Sequence, residues 1–264
     1  MRCAGAQRAI GYITDRSVSY MAAVPTPPSE ASTDSPPLRQ RRKEARPKEL
    51  LDAALDLFVE KGFAATRSEE VASRAGVSKG TLYLYYPSKE ELLKEVIRHN
   101  VVNQIVEGME IVRAFEGSSS ELLAHVLHLW WERVGETRAS GILKLMMSEV
   151  RNFPEIAQFW VDEVISPAHQ MIAEIVEGGI ARGEFRPVNV ENVVHALVAP
   201  LLFLVMNKHS LGACVPSARL DPQAVIGAQV DLVLHGLETA AGATAAGKAT
   251  KAAAPAKKRN GSKR

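Results

Sequence analysis

The residues best equipped for chemistry in this chain are the run Ser78, Lys79, Gly80 and Thr81, followed by Tyr83 and Tyr85. They supply hydroxyls, one ammonium, two phenols and a position with no side chain. That set suits hydrogen bonding at close range, not bond making. If a helix begins at Ser78, its first residues are small or basic. A helix laid in the major groove of DNA brings just that end nearest the base edges. Thr66, Tyr83, Tyr85 and Lys89 lie on either side, within reach of phosphates. Enzyme signatures are missing: the chain has no Gly-x-Ser-x-Gly, no phosphate-binding loop and no Gly-x-Gly-x-x-Gly after a strand. The Gly-rich stretch Glu177–Gly183 falls within or at the end of a helical pattern. No catalysis and no cofactor are expected. His125 and His128 stand three apart, and His169, His195, His209 and His235 are scattered. A pair at that spacing can bind a metal, so a metal-responsive regulator is one alternative, though no cysteine or carboxylate cluster completes a site.

Helices must hold these groups in place. Leu50, Leu51, Ala54, Leu55 and Phe58 recur at three- and four-residue steps, which predicts a helix starting near Pro47, a residue suited to a first turn. Gly62 reads as its stop. Thr66 with Glu69 three residues on reads as a capping box for a second helix through Val71 and Ala72 to Ala75. Gly76 supplies a tight turn, Ser78 caps a third helix, and Pro87 ends it. Ser88 caps a fourth, with Glu90 and Glu91 favourably placed in its first turn. Helical patterns then run over 89–114, 120–136, 139–151, 153–182, 189–210 and 221–239. The expectation is an all-α chain: a disordered arm over 1–40, a DNA-binding domain over 44–104 with its helix-turn-helix at 67–86, a helical ligand-binding and dimerisation domain over 105–239, and a disordered basic tail over 240–264.

Charge divides the chain in the same way. The formal net charge is +2 over 264 residues, but it is +3 over 39–98, −8 over 99–239 and +7 over 240–264. A polyanion is attracted to the first and last of these and repelled by the middle. The run Arg39–Lys48 is a candidate arm for the minor groove. The Lys/Ala tail leaves open an architectural, nonspecific DNA-binding role. Two cysteines, Cys3 and Cys214, fit a reducing cytoplasm and a nucleoid-associated protein. The longest apolar run, Val198–Met206, is interrupted by Pro200 and short of a membrane span. Met21, before the Pro/Ser/Thr-rich stretch, is a candidate start of translation.

The succession Leu51–Ala54–Leu57–Phe58–Glu60–Lys61–Gly62–Phe63–Thr66, then Val71–Ala72–Ala75–Gly76–Val77–Ser78–Lys79–Gly80–Thr81–Leu82–Tyr83, then Tyr85–Tyr86–Ser88–Lys89–Glu90–Leu92 resembles the tetracycline-repressor (TetR/AcrR) family. The resemblance implies a three-helix DNA-binding domain, a connecting fourth helix and a ligand domain with a two-helix dimer interface. It implies operator contacts from Thr66, Arg67, Lys79, Thr81, Tyr83, Leu84, Tyr85 and Lys89. It also implies repression by occlusion of a promoter, with the fourth helix as a lever. Ser68, where an apolar residue is common, and Arg67, in place of a small hydroxyl residue, depart from the pattern. The run Met146–Glu155 is similar to one C-terminal subgroup of the family.

For the second domain the residues predict an apolar effector cavity framed by Trp130, Met146, Met147, Phe159, Phe203 and Met206, with His195 or Asn207 as a polar tip. Two apolar stripes, Val193–Leu197–Leu201 and Val230–Val233–Leu234–Leu237, predict a four-helix dimer interface. A homodimer has two reading heads, so its double-stranded operator should be palindromic.

Overall fold

The computed structural model describes residues 38–239, with side chains from Arg46 onward. Residues from Arg42 form one unit, and of the segment before it only helical residues 38–41 are described. The predicted arm over 1–37, Cys3, the candidate start at Met21 and the basic tail over 240–264 lie outside the described residues.

The first three helices are α1 (Leu38–Lys61), α2 (Ser68–Arg74) and α3 (Lys79–Tyr85). Helix α1 begins nine residues before Pro47, which lies inside it. The missing Pro N–H removes one helical bond, and the helix continues through it. Leu50, Ala54, Leu55, Leu57 and Phe58 turn inward to meet Phe63, Val71, Leu82 and Tyr86. Gly62 ends α1 with φ +88°, and its N–H bonds the Phe58 carbonyl at 3.0 Å. Gly76, at φ +66°, makes the turn between α2 and α3. The start of α2 differs from the expected capping box by one residue. Arg67 is the N-cap, and the Glu70 carboxylate accepts from the Arg67 N–H at 3.1 Å. A guanidinium has no acceptor to return, so only that arm of the box forms. Ser78 and Ser88 cap α3 and the helix from Lys89 as expected, their hydroxyls accepting from Thr81 N–H and Glu91 N–H at 3.1 and 3.0 Å.

Helix α4 (Lys89–Ile97) runs through a π-helical turn, Arg98–Val102, into α5 (Asn103–Ala114). Two more π turns follow the same design. Trp131–Gly135 extends α6 (Ser119–Trp130), and Val161–Ile165 joins α8 (Pro154–Trp160) to α9 (Ser166–Ala181). Helix α7 (Ser140–Glu149), α10 (Val190–His209), the short α11 (Leu211–Cys214) and α12 (Pro222–Leu237) complete the bundle. Helix α10 packs against α7, α9 and α12.

Among the described residues one helical stretch, 190–214, is long and apolar enough by length and composition to cross a membrane. The sequence reading, which stopped at Pro200, did not expect it. Pro200 sits inside α10 without ending it. Its ring leaves the Ala196 carbonyl without a helical partner. Gln229 of α12 turns its amide nitrogen to the Leu197 and Ala196 carbonyls, at 2.6 and 3.4 Å. The buried carbonyls are thereby satisfied from the neighbouring helix.

The head is mounted on the bundle at several points. Arg138 pairs with Asp52 and Asp56 of α1. Glu149 at the end of α7 accepts from the Ala64 N–H at 3.0 Å. Phe153 meets Phe63 edge-on with centroids 4.8 Å apart. A β-carbon on Gly62 would run into the Glu149 carboxylate and hold a side chain at positive φ. Gly62→Ala is therefore expected to cost about 1–3 kcal/mol, read as a lower urea midpoint. Gly76→Ala has open space around it and should cost less. Equal losses in the two variants would show that the Glu149 contact contributes nothing.

Candidate nucleic-acid interface and effector cavity

Helix α3 turns Leu82 into the core and leaves Lys79, Gly80, Tyr83 and Leu84 on the surface. Leu84, 85% exposed, and Tyr83, 38% exposed, have no apolar cover. The Ser78 and Thr81 hydroxyls meet at 2.9 Å. Lys79 donates to Glu69 of α2 at 2.5 Å and lies 5.6 Å from the centre of the Tyr83 ring. The hydrogen bond from Lys79 holds the Glu69 carboxyl below the usual range and raises the Lys79 ammonium. Both partners are exposed, so salt screens the pair and a phosphate can replace the carboxylate at little cost. Arg67 is exposed at the start of α2, and its guanidinium makes no hydrogen bond to a described residue.

Two residues expected at the interface are placed inward. Thr66 is 1% exposed, and its hydroxyl faces the Gly62 and Leu57 carbonyls at 2.7 and 3.2 Å. Lys89 reaches back to the Phe63 and Thr66 carbonyls at 2.9 and 3.1 Å, 4.4 Å from the Phe63 ring centre. Both fasten the loop between α1 and α2. Tyr85 and Thr81 are half-buried, and Ser68 is buried.

The second domain holds a cavity of about 580 Å³, partly open to solvent. Its wall comes from all three π turns and the helices they interrupt. Val101, Gln104, Ile105 and Gly108 contribute from the α4–α5 side, Trp130, Arg133 and Val134 from α6 and its π turn, and Met146, Met147 and Val150 from α7. Trp160, Val164, His169, Met171 and Ile172 follow from α8–α9, and His195, Val198 and Leu202 from α10. A few polar groups in an apolar wall, at this volume, make a small-molecule site. Between the cavity and the head, Arg98 grips Glu163 with two nitrogens at 2.8 and 2.6 Å. Arg98 also holds Glu95 at 2.5 Å. The bond from Arg98 lowers the Glu163 pKa.

Residues 50–96 match the family model described as bacterial regulatory proteins, tetR family, and residues 116–212 match one described as tetracyclin repressor-like, C-terminal domain. The chain belongs to the TetR family. It is 26% identical over 176 residues to the transcriptional regulator RutR of Escherichia coli K12, covering 61% of this chain and 74% of RutR. It is 28% identical over 145 residues to the transcriptional repressor KstR2 of Rhodococcus jostii RHA1, covering 54% and 70%. The fold matches that of FadR from Bacillus subtilis in complex with stearoyl-CoA, with a TM-score of 0.59 at 21% identity, over 72% of this chain and 98% of that one. This TetR-family protein is thus a transcriptional regulator whose helix-turn-helix head and helical second domain are those its sequence resembles.

Of the residues expected to line the cavity, Trp130, Met146, Met147 and His195 do so. Phe159 is instead buried beside Arg98, whose guanidinium lies 4.8 Å from the ring centre. Phe203 points out of the protomer, 62% exposed, and Met206 is off the cavity wall. Asn207 ties down the loop after α11, donating to the Ala218 carbonyl at 3.0 Å and accepting from the Leu220 N–H at 3.2 Å. The sequence reading missed Gln104, Arg133 and His169. Val101, Ile105 and Gly108 recur at helical spacing, but that spacing fits a core stripe equally well.

The two apolar stripes expected at a dimer interface face partly inward. Leu197, Leu201 and Leu237 are buried within the protomer, and Val193, Val230, Val233 and Leu234 are packed against its core. The exposed face of α10 carries His195, Ala196, Ala199 and Phe203, and that of α12 carries Ala224, Ala228 and Leu232. As for metal, no three His, Cys, Asp or Glu side chains come together among the described residues. His125 stacks on Phe115, and His128 bonds the Ala124 carbonyl.

Lys89 yields a test that separates a fastener from a phosphate contact. Lys89→Met is expected to lower stability by about 1–3 kcal/mol, the worth of charged hydrogen bonds lost. It should weaken DNA binding without reducing the slope of log K against log salt by the ~0.9 that one phosphate contact contributes. A slope change of that size at unchanged stability would make Lys89 a DNA contact.

Proposed function

We propose that the protein is a homodimeric repressor that binds a palindromic operator and is released from it by a small apolar molecule, acting by binding and not by catalysis. The observation that carries this reading is the pairing of an outward-facing reading helix with a largely apolar cavity, joined by one continuous helical run, 89–114. Ser78, Lys79, Gly80 and Thr81 approach base edges. Arg67, Tyr83 and Tyr85 contact the backbone, and the exposed Leu84 meets a thymine methyl. Thr66 and Lys89 support the loop that positions them. The site of action is nucleoid DNA in the cytoplasm. The titles of structural neighbours support an apolar effector: one is a ketosteroid transcriptional regulator, and another is in complex with stearoyl-CoA.

The dimer uses the outward faces of α10 and α12. Phe203 and Leu232, 62% and 73% exposed, are its apolar knobs, set among Ala196, Ala199, Gly227 and Ala228, which let helices approach closely. A helix as apolar all round as α10 needs cover on every side, and a second copy supplies it. A Phe203→Glu, Leu232→Glu double variant is expected to sediment as a folded monomer at micromolar concentration, where the wild type is a dimer. A dimeric variant would place the interface elsewhere.

Effector binding works through the wall it shares with the head. Val101 lies on the cavity one helical turn after Ile97, and Arg98 between them holds Glu163. An occupant that displaces the π turn 98–102 or 161–165 moves α4 and respaces the two heads. A coupling of about 1–3 kcal/mol suffices for a 5–150-fold change in operator affinity. Selection of bound sequences from random DNA tests the central claim. The wild type should enrich a palindrome that a Lys79→Ala, Tyr83→Ala double variant fails to enrich. Binding with no enriched sequence and only salt dependence would overturn it in favour of an architectural role.

A further inference from the structure

Four polar side chains interrupt the apolar wall of the cavity: Gln104, Arg133, His169 and His195. Arg133 is exposed and donates to Glu107 at 2.7 Å. The two histidines come from different helices, α9 and α10, and their rings meet edge to face with centroids 5.2 Å apart. Neither ring, nor the Gln104 amide, makes a hydrogen bond to a described residue. Burial, and then the neighbouring His195, holds His169 below the ordinary histidine range, and no carboxylate acts on it. At neutral pH His169 is therefore an uncharged imidazole, with one N–H to donate and one nitrogen to accept. The wall thus offers hydrogen-bonding groups at half-buried His169 and exposed His195.

A carboxylate or phosphate set against half-buried His169 would give up part of its hydration to a ring that carries no charge. A hydroxyl or carbonyl loses less and regains its bonds from the imidazoles. We propose that the effector is an uncharged, mainly apolar molecule whose hydroxyl or carbonyl group binds between His169 and His195. This rests on reading the cavity as the effector site. A volume of about 580 Å³ admits on the order of 20 non-hydrogen atoms at about 30 Å³ each.

Trp130 and Trp160 line the cavity, so intrinsic tryptophan fluorescence of the full chain reports occupancy. Three probes of equal chain length separate the possibilities: 1-decanol, decanoate and 1-chlorodecane. The wild type should bind decanol at least tenfold more tightly than decanoate. His169→Phe should weaken decanol about tenfold, one lost hydrogen bond, and leave 1-chlorodecane unchanged, which shows the cavity intact. His169→Gln, which restores a donor and an acceptor, should recover most of the decanol affinity. His195 is exposed on α10, so each variant is compared with the wild type at the same oligomeric state, checked by sedimentation. Decanoate binding as tightly as decanol would overturn the uncharged class. Decanol binding unchanged by His169→Phe would overturn the role of the histidines. If no probe binds, and filling the cavity with Ala168→Phe changes nothing, the cavity itself is not an effector site and the inference falls with that reading.

Discussion

The architecture depends on α4 belonging to two cores at once. Leu92, Leu93, Val96 and Ile97 are all buried, closing the reading head at one end and the bundle at the other. A helix so held cannot shift under one domain without shifting the other, because close-packed interiors transmit displacement instead of absorbing it. Its C-terminal end passes into a π turn, where the regular ladder gives way, and there Arg98 leaves α4 to grip Glu163 on a second π turn. The two irregular turns are therefore tied to each other and to the cavity wall. π turns recur at functional sites because their ladder has an alternative arrangement close in energy. Rigid packing toward the head and adjustable backbone toward the cavity is the arrangement a two-state coupling requires.

A second mount strengthens this view. Helix α7 carries Met146 and Met147 on the cavity wall, and its ends touch the head through Arg138, Glu149 and then Phe153. An occupant pressing on α7 acts on α1 and on the α1–α2 loop, the same loop that Thr66 and Lys89 fasten from within. The head is thus held from two sides, each bordering the cavity. Filling the cavity also adds contacts that the empty protein lacks. A ligand at 100 times its dissociation constant stabilises the fold by about 2.7 kcal/mol.

Local rules made the head legible. Ser78 and Ser88 cap the helices that follow them, and Gly62 and Gly76 take the positive φ that ends one element and opens the next. Each depends on neighbours within a few residues. Where two neighbouring residues both fit a rule, the reading slipped by one: Thr66 is buried, and Arg67 takes the cap. The helix continuing through Pro47 was illegible for a related reason, since proline fits a first turn as well as it tolerates an interior one. The cavity was half legible. Tryptophan and methionine mark an adaptable apolar interior, but Phe159 and Phe203 have the same composition signal and sit beside Arg98 and on the outer surface. Nothing in sequence spacing tells three-dimensional neighbours from other residues on a core face.

Helix α10 shows why the outward face of a helix could not be read from periodicity. It is apolar on every side, so periodicity finds no phase and the stripe Leu197–Leu201 looks no different from Ala196–Ala199–Phe203. Packing breaks the tie: Leu197 goes to the core, Val198, Leu201 and Leu202 border the cavity, exposed His195 and Ala199 border it from the outer side, and Phe203 is left outside. One helix therefore serves three surfaces. In the proposed dimer, its outward side lies against the partner while the side bordering the cavity feels the occupant. A ligand in one protomer then acts not only on its own head through α4 but on the relative setting of the two protomers through α10. The spacing of two heads on one palindrome is a property of that setting, and so repression requires the dimer to be stiff where the cavity is not.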